Sequence, residues 1–302
     1  DLIAHDMHPD YLSTRFATEL GLPVIPVQHH HAHIASVLAE YKLDEKVIGV
    51  SFDGTGLGDD GNIWGSEFLV CDLAGYNRQA HLEYMPMPVG DMATREPWRM
   101  ALSYLYRTYG RELMDLYMPF LRNLNLIRVE QVILAIETDL TCPLSSGARR
   151  LFDAAAALLD LCTFSSFHAE APMRLENIVH PVTDQAYPFG EGKEISLAPA
   201  FRAMVDEVLG GVDVGLISTK FHNTVAGIIL DGVKKISRES GIRTVALSGG
   251  TFQNRYLSSR VESGLQDARF SVLFPRQLPS NDGVIALGQL VIVAKKREKG
   301  DY

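Results

Sequence analysis

Two spacings of apolar residues run through the chain. Runs of strand length occupy residues 22–28 (Leu-Pro-Val-Ile-Pro-Val-Gln), 47–52, 63–71 and 244–247. Elsewhere apolar positions recur every three or four residues, as on a helix face. The first such helix is expected from His29 to about Tyr41, with Ile34, Val37, Leu38 and Tyr41 on one face. The strands at 47–52 and 63–71 flank Asp53-Gly-Thr-Gly-Leu-Gly-Asp-Asp-Gly61, which predicts a β-hairpin with that stretch as its tip. Residues 95–140 read as mostly helical, and Leu151 to Leu161 as an alanine-rich helix. Proline, glycine and charges make 181–195 a loop, and helices follow at about 199–209 and 219–238. The strand Thr244 to Leu247 runs directly into Ser248-Gly-Gly-Thr-Phe-Gln-Asn254, with a helix behind it. Pro279-Ser-Asn-Asp-Gly283 opens a last apolar helix from Val284 to about Ala294. Strands mixed with helices give an α/β class. The sequence has no internal repeat and no low-complexity tract.

With 302 residues, 46% hydrophobic and 22% charged, the chain suffices for one large domain or two lobes sharing a cleft. No apolar run is long enough to cross a bilayer and no signal peptide opens the chain, so no membrane association is expected. Cys71, Cys142 and Cys162 form no C-x-x-C pair, which points to reduced thiols in a cytoplasmic protein. The net charge of −9 argues against nucleic acid as the main partner. The basic run Lys295-Lys-Arg-Glu-Lys299 reads as a solvated tail. The chain opens on Asp1-Leu-Ile-Ala without a methionine, as if in mid-strand, so a fragment or a processed chain is expected.

The run His29-His-His-Ala-His33 carries the first candidate chemistry. Imidazoles at i and i+4 share one side of a helix and can hold one divalent ion; His29 and His33 have that spacing. His30 lies nearer the centre of the apolar stripe and His31 on its other edge. Packing or surface roles for all four compete with a metal site, and the general-base glutamate of H-E-x-x-H is absent. Further ligands are sought in Asp282, which could equally be a helix N-cap, and Asp53, which could equally be a turn residue. Two imidazoles with carboxylates suit Fe(II) or Zn(II) better than Ca or Mg.

The glycine-rich stretch after Asp53 joins two strands, which excludes a Walker loop, yet its backbone, at Gly54 and Thr55, could approach phosphates. Ser248-Gly249-Gly250-Thr251 lies between a strand and a helix, a place where anions bind. Two such loops well apart favour a nucleotide held between them, although plain turns would look the same. Asp153, in the alanine-rich helix, is either on the exposed face, the usual outcome, or bonding a ligand hydroxyl. No serine nucleophile elbow is present. No general base stands out: His30 and His31 are candidates, and nothing selects either.

Together these stretches resemble the TsaD-like domain of HypF-type hydrogenase maturation carbamoyltransferases. The resemblance rests on Asp6-Met-His-Pro-Asp-Tyr-Leu-Ser-Thr14, Val27-Gln-His-His-His-Ala-His-Ile-Ala35, Ser51-Phe-Asp-Gly-Thr-Gly56, Trp64-Gly-Ser-Glu67 and Arg95-Glu-Pro-Trp-Arg99. It continues through Arg150-Leu-Phe-Asp-Ala154, Phe221-His-Asn-Thr224, Leu247-Ser-Gly-Gly-Thr-Phe-Gln-Asn254 and Ser280-Asn-Asp-Gly283. It implies the ASKHA (actin-like ATPase) fold, two RNase-H-like lobes with a central nucleotide cleft. Residues 1–46 would then be the remainder of a first lobe whose opening hairpin lies upstream of Asp1, and 47–302 the second lobe. The resemblance implies His29, His33 and Asp282 as ligands of a divalent metal, with Asp53 as a fourth. It implies Asp153, Gly249, Gly250 and Asn254 as nucleotide contacts. The implied reaction moves a carbamoyl group from carbamoyl-adenylate, made from carbamoyl phosphate and ATP by a YrdC-like adenylating domain, to the C-terminal cysteine thiol of a HypE-type partner. The acceptor would supply the nucleophile, so this chain needs none. O-carbamoyl transfer, tRNA threonylcarbamoyl transfer and a non-catalytic nucleotide-binding regulatory module are the alternatives.

Overall fold

The structure, a computed structural model, describes residues 2–300. Its packing forms two units, Asp1–His81 with Ile229–Tyr302, and Leu82–Ile228. The lobe boundary expected at 46/47 coincides with neither break.

In the first unit, β1 (Ile3–Asp6) and β2 (Val24–Val27) pair in parallel, joined by α1 (Leu12–Glu19). The opening residues read as strand, and β1 is one; sequence reading missed α1, which shows no clean apolar period. β2 leads into α2 (His29–Glu40), then the hairpin β3 (Val47–Leu57) and β4 (Ile63–Cys71), and β5 (Tyr76–Leu82). The strand β5, also missed, is rich in polar residues (Tyr-Asn-Arg-Gln-Ala-His-Leu). Farther along come β9 (Thr244–Ser248), α10 (Arg255–Asp267), β10 (Ser271–Leu273) and α11 (Ile285–Lys299). The main sheet of this unit runs β10-β9-β3-β4-β5. β10, β9 and β3 are parallel; β3, β4 and β5 form an antiparallel meander.

Side chains alternate across a strand. Val47, Gly49, Ser51 and Asp53 therefore share one face of β3, with Leu69 and Cys71 of β4 and Ala246 and Ser248 of β9 on the same side. Val47, Leu69, Cys71 and Ala246 pack against Ile34, Val37 and Leu38 of α2. Ala32 and Ala35, on the opposite side of α2, pack with Val27 and with Ile292 and Val293 of α11. Being covered on both sides, α2 has ten of its twelve residues buried, and the four histidines share in that burial. Each fully buried Ile or Leu contributes about 1.5–3 kcal/mol.

The hairpin differs from expectation at its tip. β3 continues through Leu57, and the turn proper is 58–62, closed by the Gly58 N–H donating to the Asn62 carbonyl at 2.8 Å. Between the pairs Phe52↔Ser66 and Gly56↔Trp64 the register slips, so Asp53, Gly54 and Thr55 stand opposite Gly65 alone. Such a bulge takes amides out of the ladder. Glu67, fully buried, accepts from the Gly65 and Ser66 amides at 2.9 and 3.1 Å, and Arg78 Nε reaches its other oxygen at 2.5 Å. The Arg78 guanidinium stacks on Trp64 at 3.9 Å. The Trp-Gly-Ser-Glu stretch thus repairs the bulge.

The basic run Lys295–Lys299 ends helix α11 rather than forming a tail; Arg297 to Lys299 are exposed as expected, and Lys295 Nζ pairs with Asp44 at 2.7 Å.

The second unit is mainly helical: α3 (Met92–Arg95), α4 (Trp98–Tyr109), α5 (Leu126–Thr138), α6 (Ala148–Leu158), α7 (Glu170–Asn177) and α8 (Ala198–Leu209). Short strands β6 (Met85–Pro86) and β7 (Leu144–Ser145) pair antiparallel, and β8 is Glu194–Ile195. The break at 228/229 falls inside the long helix α9 (Val214–Ser240). The Arg-Glu-Pro-Trp-Arg stretch builds a packed corner: Glu96 bonds Arg99 Nε at 2.6 Å and Arg128 at 2.7 Å, and both guanidiniums lie over Trp98. The stretch 181–195 is irregular up to β8, as expected. Asn223 holds it by donating to the carbonyls of Thr183 and Gln185 at 3.0 and 2.8 Å.

Candidate metal centre

Gln28 caps α2. Its Oε1 accepts from the His30 and His31 amides at 2.6 and 3.0 Å, and its Nε2 donates to the Leu57 carbonyl at 3.2 Å. The cap fixes the first turn of α2 against the end of β3. Gly56 permits that approach, since a Cβ there would meet His30 Cε1 at 2.7 Å and His29 Cβ at 2.9 Å. The site therefore sits at the carboxyl ends of the parallel strands β3 and β9, where α/β sheets commonly bind ligands.

Four side chains converge there. His29 Nε2 lies 3.5 Å from Asp53 Oδ2 and 3.6 Å from Asp282 Oδ1. His33 Nε2 lies 3.4 Å from Asp53 Oδ2 and 3.5 Å from Asp282 Oδ1. One ligand atom from each residue falls within 4.8 Å of all the others. Both Nε2 atoms are buried and lack a hydrogen-bond partner. Donors about 2.1 Å from a tetrahedral ion stand about 3.4 Å apart, so the N···O spacings suit a shared cation. The structure thus brings together all four residues singled out as metal ligands. The alternative roles weighed for the two carboxylates go to neighbours or run alongside: Asn281, not Asp282, caps the following turn through the Gly283 amide. Asp53 lies on the bulge, and its Oδ1 accepts from the Gly250 N–H at 2.9 Å.

Each imidazole has its other nitrogen engaged. His29 Nδ1 is 2.8 Å from Asp6 Oδ2, and His33 Nδ1 is 3.3 Å from Ser248 Oγ. Burial alone would depress both imidazoles. The Asp282 and Asp53 carboxylates outweigh it, joined at His29 by Asp6, and hold His29 well above and His33 above the ordinary histidine value. Burial raises Asp53 in turn, but His29 and His33 hold it well below the usual carboxylate range. The two imidazoles likewise depress Asp282.

His30 and His31 are set differently. Burial pushes His30 well below its ordinary value, with His29 adding to the effect, and burial lowers His31. His31 Nε2 is tied to the Asp72 carbonyl at 2.7 Å. Both rings are packed away from solvent, and neither is placed as a general base.

The proposed nucleotide residues have separate settings. Gly249 has φ +108°, and a Cβ there would meet the Phe52 carbonyl oxygen at 2.1 Å. Its N–H donates to Ser280 O at 2.8 Å. A Cβ at Gly250 would meet Asp53 Oδ1 at 2.8 Å. Both glycines are therefore required by the frame of the His-Asp cluster itself. Asn254 caps α10 by accepting from the Leu257 amide at 2.9 Å. Beyond it a groove of about 680 Å³ runs along α10, lined by Leu230, Arg255, Tyr256 and Arg260. Gly54 is half-buried and Thr55 exposed on the bulge. Asp153, in the other unit, is not exposed as the usual outcome would have it. It is 2% exposed, with Arg150 Nη2 at 3.0 Å, and burial raises its carboxyl against the pull of Arg150. Its helix is covered on all sides because alanines let neighbours approach closely.

Asp6 and Gln28 were not anticipated as site residues. Asp6 had a signal, an acidic residue closing a strand in the Asp-x-His-Pro stretch. Gln28 had none, since glutamine is an unusual cap.

Comparison with known proteins places these features in context. Residues 49–289 match the family model "Carbamoyltransferase, Kae1-like Domain, second subdomain", and residues 1–40 match "HypF Kae1-like domain". A carbamoyltransferase HypF of Synechocystis sp. is 36% identical over 98% of this chain and 40% of its own length. A HypF homolog of Cupriavidus necator is 35% identical over 97% of this chain and 78% of its own length. A full-length HypF solved in a phosphate- and nucleotide-bound form superposes with TM-score 0.94 at 39% identity, covering 100% of this chain and 48% of that one. The chain thus spans about 40% of the length of the first of these relatives.

Proposed function

The chain belongs to the HypF carbamoyltransferases, as the Kae1-like, ASKHA-type domain of that family, and from that membership we propose that it transfers a carbamoyl group from carbamoyl-adenylate to the C-terminal cysteine thiol of a HypE-type partner during hydrogenase maturation. Carbamoyl-adenylate is formed from carbamoyl phosphate and ATP by a YrdC-like adenylating domain. Residues 1–46 and 47–302 are assigned to the first and second lobes of the domain.

The convergence of His29, His33, Asp53 and Asp282 carries the reading. These four would hold a divalent ion, iron or zinc, whose Lewis acidity supplies polarisation of a carbonyl or phosphoryl oxygen. Asp53 orients the Gly250 amide while facing the imidazoles. Asp153, Gly54, Thr55, Gly249, Gly250 and Asn254 are assigned to the nucleotide. The partner's thiol loses its proton to solvent, and its sulfur attacks the carbamoyl carbon. The C–S bond forms, and the C–O bond to the adenylate phosphate breaks with its electron pair leaving on AMP. Because the acceptor brings the nucleophile, the three buried cysteines of this chain take no part.

The test is incubation of the chain with carbamoyl-adenylate and a C-terminal peptide of a HypE-type protein, read by mass spectrometry. The peptide is expected to gain one carbamoyl group, and the same peptide with its terminal cysteine changed to serine is not. Nucleotide binding without any mass gain would overturn transfer and leave a regulatory module.

A further inference from the structure

The Asp-x-His-Pro-x-Tyr-x-Ser-Thr stretch has no part in the ligand set, yet its Asp6 bonds one of the ligands. Asp6 closes β1 in register with Val27 and is 4% exposed. Its Oδ2 lies 2.8 Å from His29 Nδ1. Its Oδ1 accepts from the His8 amide at 2.9 Å, and its backbone carbonyl accepts from Thr14 Oγ1 at 3.1 Å. His8 thus holds the carboxylate and Thr14 the backbone behind it, with the other carboxylate oxygen on one imidazole nitrogen.

We infer that Asp6 is the positioning residue of the metal centre, fixing which nitrogen of His29 carries the proton and where the other one aims. This rests on the metal reading above. A neutral imidazole has one N–H, and a carboxylate can only accept. A ring that binds a cation through Nε2 is neutral and keeps its one proton on Nδ1, on the Asp6 carboxylate, so that its Nε2 lone pair would meet the cation between Asp53 and Asp282, 3.5 and 3.6 Å away. An amide at position 6 could instead donate to Nδ1, placing the proton on Nε2 in the way of a cation. Ser248 does the corresponding work for His33 from 3.3 Å with a hydroxyl, a weaker and more adaptable partner.

The experiment measures zinc affinity by chelator competition, in the wild-type chain and in Asp6→Asn, each alone and combined with His29→Ala. Asp6→Asn is expected to weaken zinc by about 10- to 100-fold. In the His29→Ala background it is expected to add nothing, because Asp6 acts through His29. Equal loss in both backgrounds would show a structural role and overturn the inference, as would an Asp6→Asn affinity within about twofold of wild type. Nitrogen-15 NMR of the zinc-loaded wild type is a second, variant-free reading. His29 is expected to keep a protected Nδ1 proton, and zinc bound through Nδ1 would overturn the assignment even if Asp6→Asn does not fold. No zinc binding by the wild type would sink the metal reading itself, and this inference with it.

Discussion

Gly288 of α11 lies against the backbone of Ala32 in α2: a Cβ at position 288 would stand 1.9 Å from the Ala32 carbonyl oxygen and 2.9 Å from its Cα. The two helices meet here almost backbone to backbone. Asp282 comes from the turn that leads into one of them, and His29 and His33 from the other. Adding a methyl group would push the helices apart and draw Asp282 from the imidazoles. Gly288→Ala is expected to destabilise the chain by about 1–3 kcal/mol and to weaken zinc binding together with stability. Thermal melts and chelator competition on one preparation check this; an unchanged melting temperature would mean the helices part without strain.

The four proposed ligands should not respond alike to substitution. The double variant His29→Ala with His33→Ala is expected to lose stoichiometric metal, measured by elemental analysis. Asp282→Asn, whose side chain is 68% exposed, should lose metal affinity with little change in the stability of the metal-free chain. Asp53→Ala should lose both, because it strips the Gly250 amide of its acceptor. That loss is about 1–3 kcal/mol.

Gln28 connects a helix cap to the centre. Gln28→Ala removes the acceptor of two α2 amides and the donor to Leu57. A stability loss of about 1 kcal/mol is expected, as for other lost N-caps. Hydrogen exchange at the amides of His30 and His31 should rise more than at Val37 or Leu38. Uniform exchange along α2 would contradict this local role.

Acid stability has a marker away from the centre. His222 is fully buried, and burial pushes it down to about 4, against a hydrogen bond from Nδ1 to the Ser218 carbonyl at 2.8 Å. The unfolded chain takes up this proton near the ordinary value of about 6.5, the folded chain only near 4. The folded state is thus unaffected above pH 6.5 and loses stability as pH falls from there towards 4. The loss approaches about 3 kcal/mol. Denaturant titrations between these limits should show the slope, and His222→Gln should flatten it.

How much of this the sequence carried depended on whether the information was local. The His29 and His33 pair was legible because i, i+4 spacing on a helix is a geometric statement in itself. The β3–β4 hairpin was legible because its strands alternate and its turn is rich in glycine. Asp53 and Asp282 could be named only as candidates, since nothing local says that a bulge and a turn far downstream will meet. The bulge length, three residues against one, came from pairing with β4 and left no periodic trace. The burial of Asp153 was left open because alanine looks neutral in sequence, whereas in the fold it admits close neighbours. Lys295 was read as solvated because its partner, Asp44, lies at the far side of the sequence.

The ligand set also has an order in time. His29, His33 and Asp53 leave the ribosome before the inserted unit Leu82–Ile228, and Asp282 only after it has been synthesised. A nascent chain therefore presents three of the four proposed donors before the fourth exists. A cation captured by the nascent chain would be held by an incomplete and more permissive set than the four residues together offer.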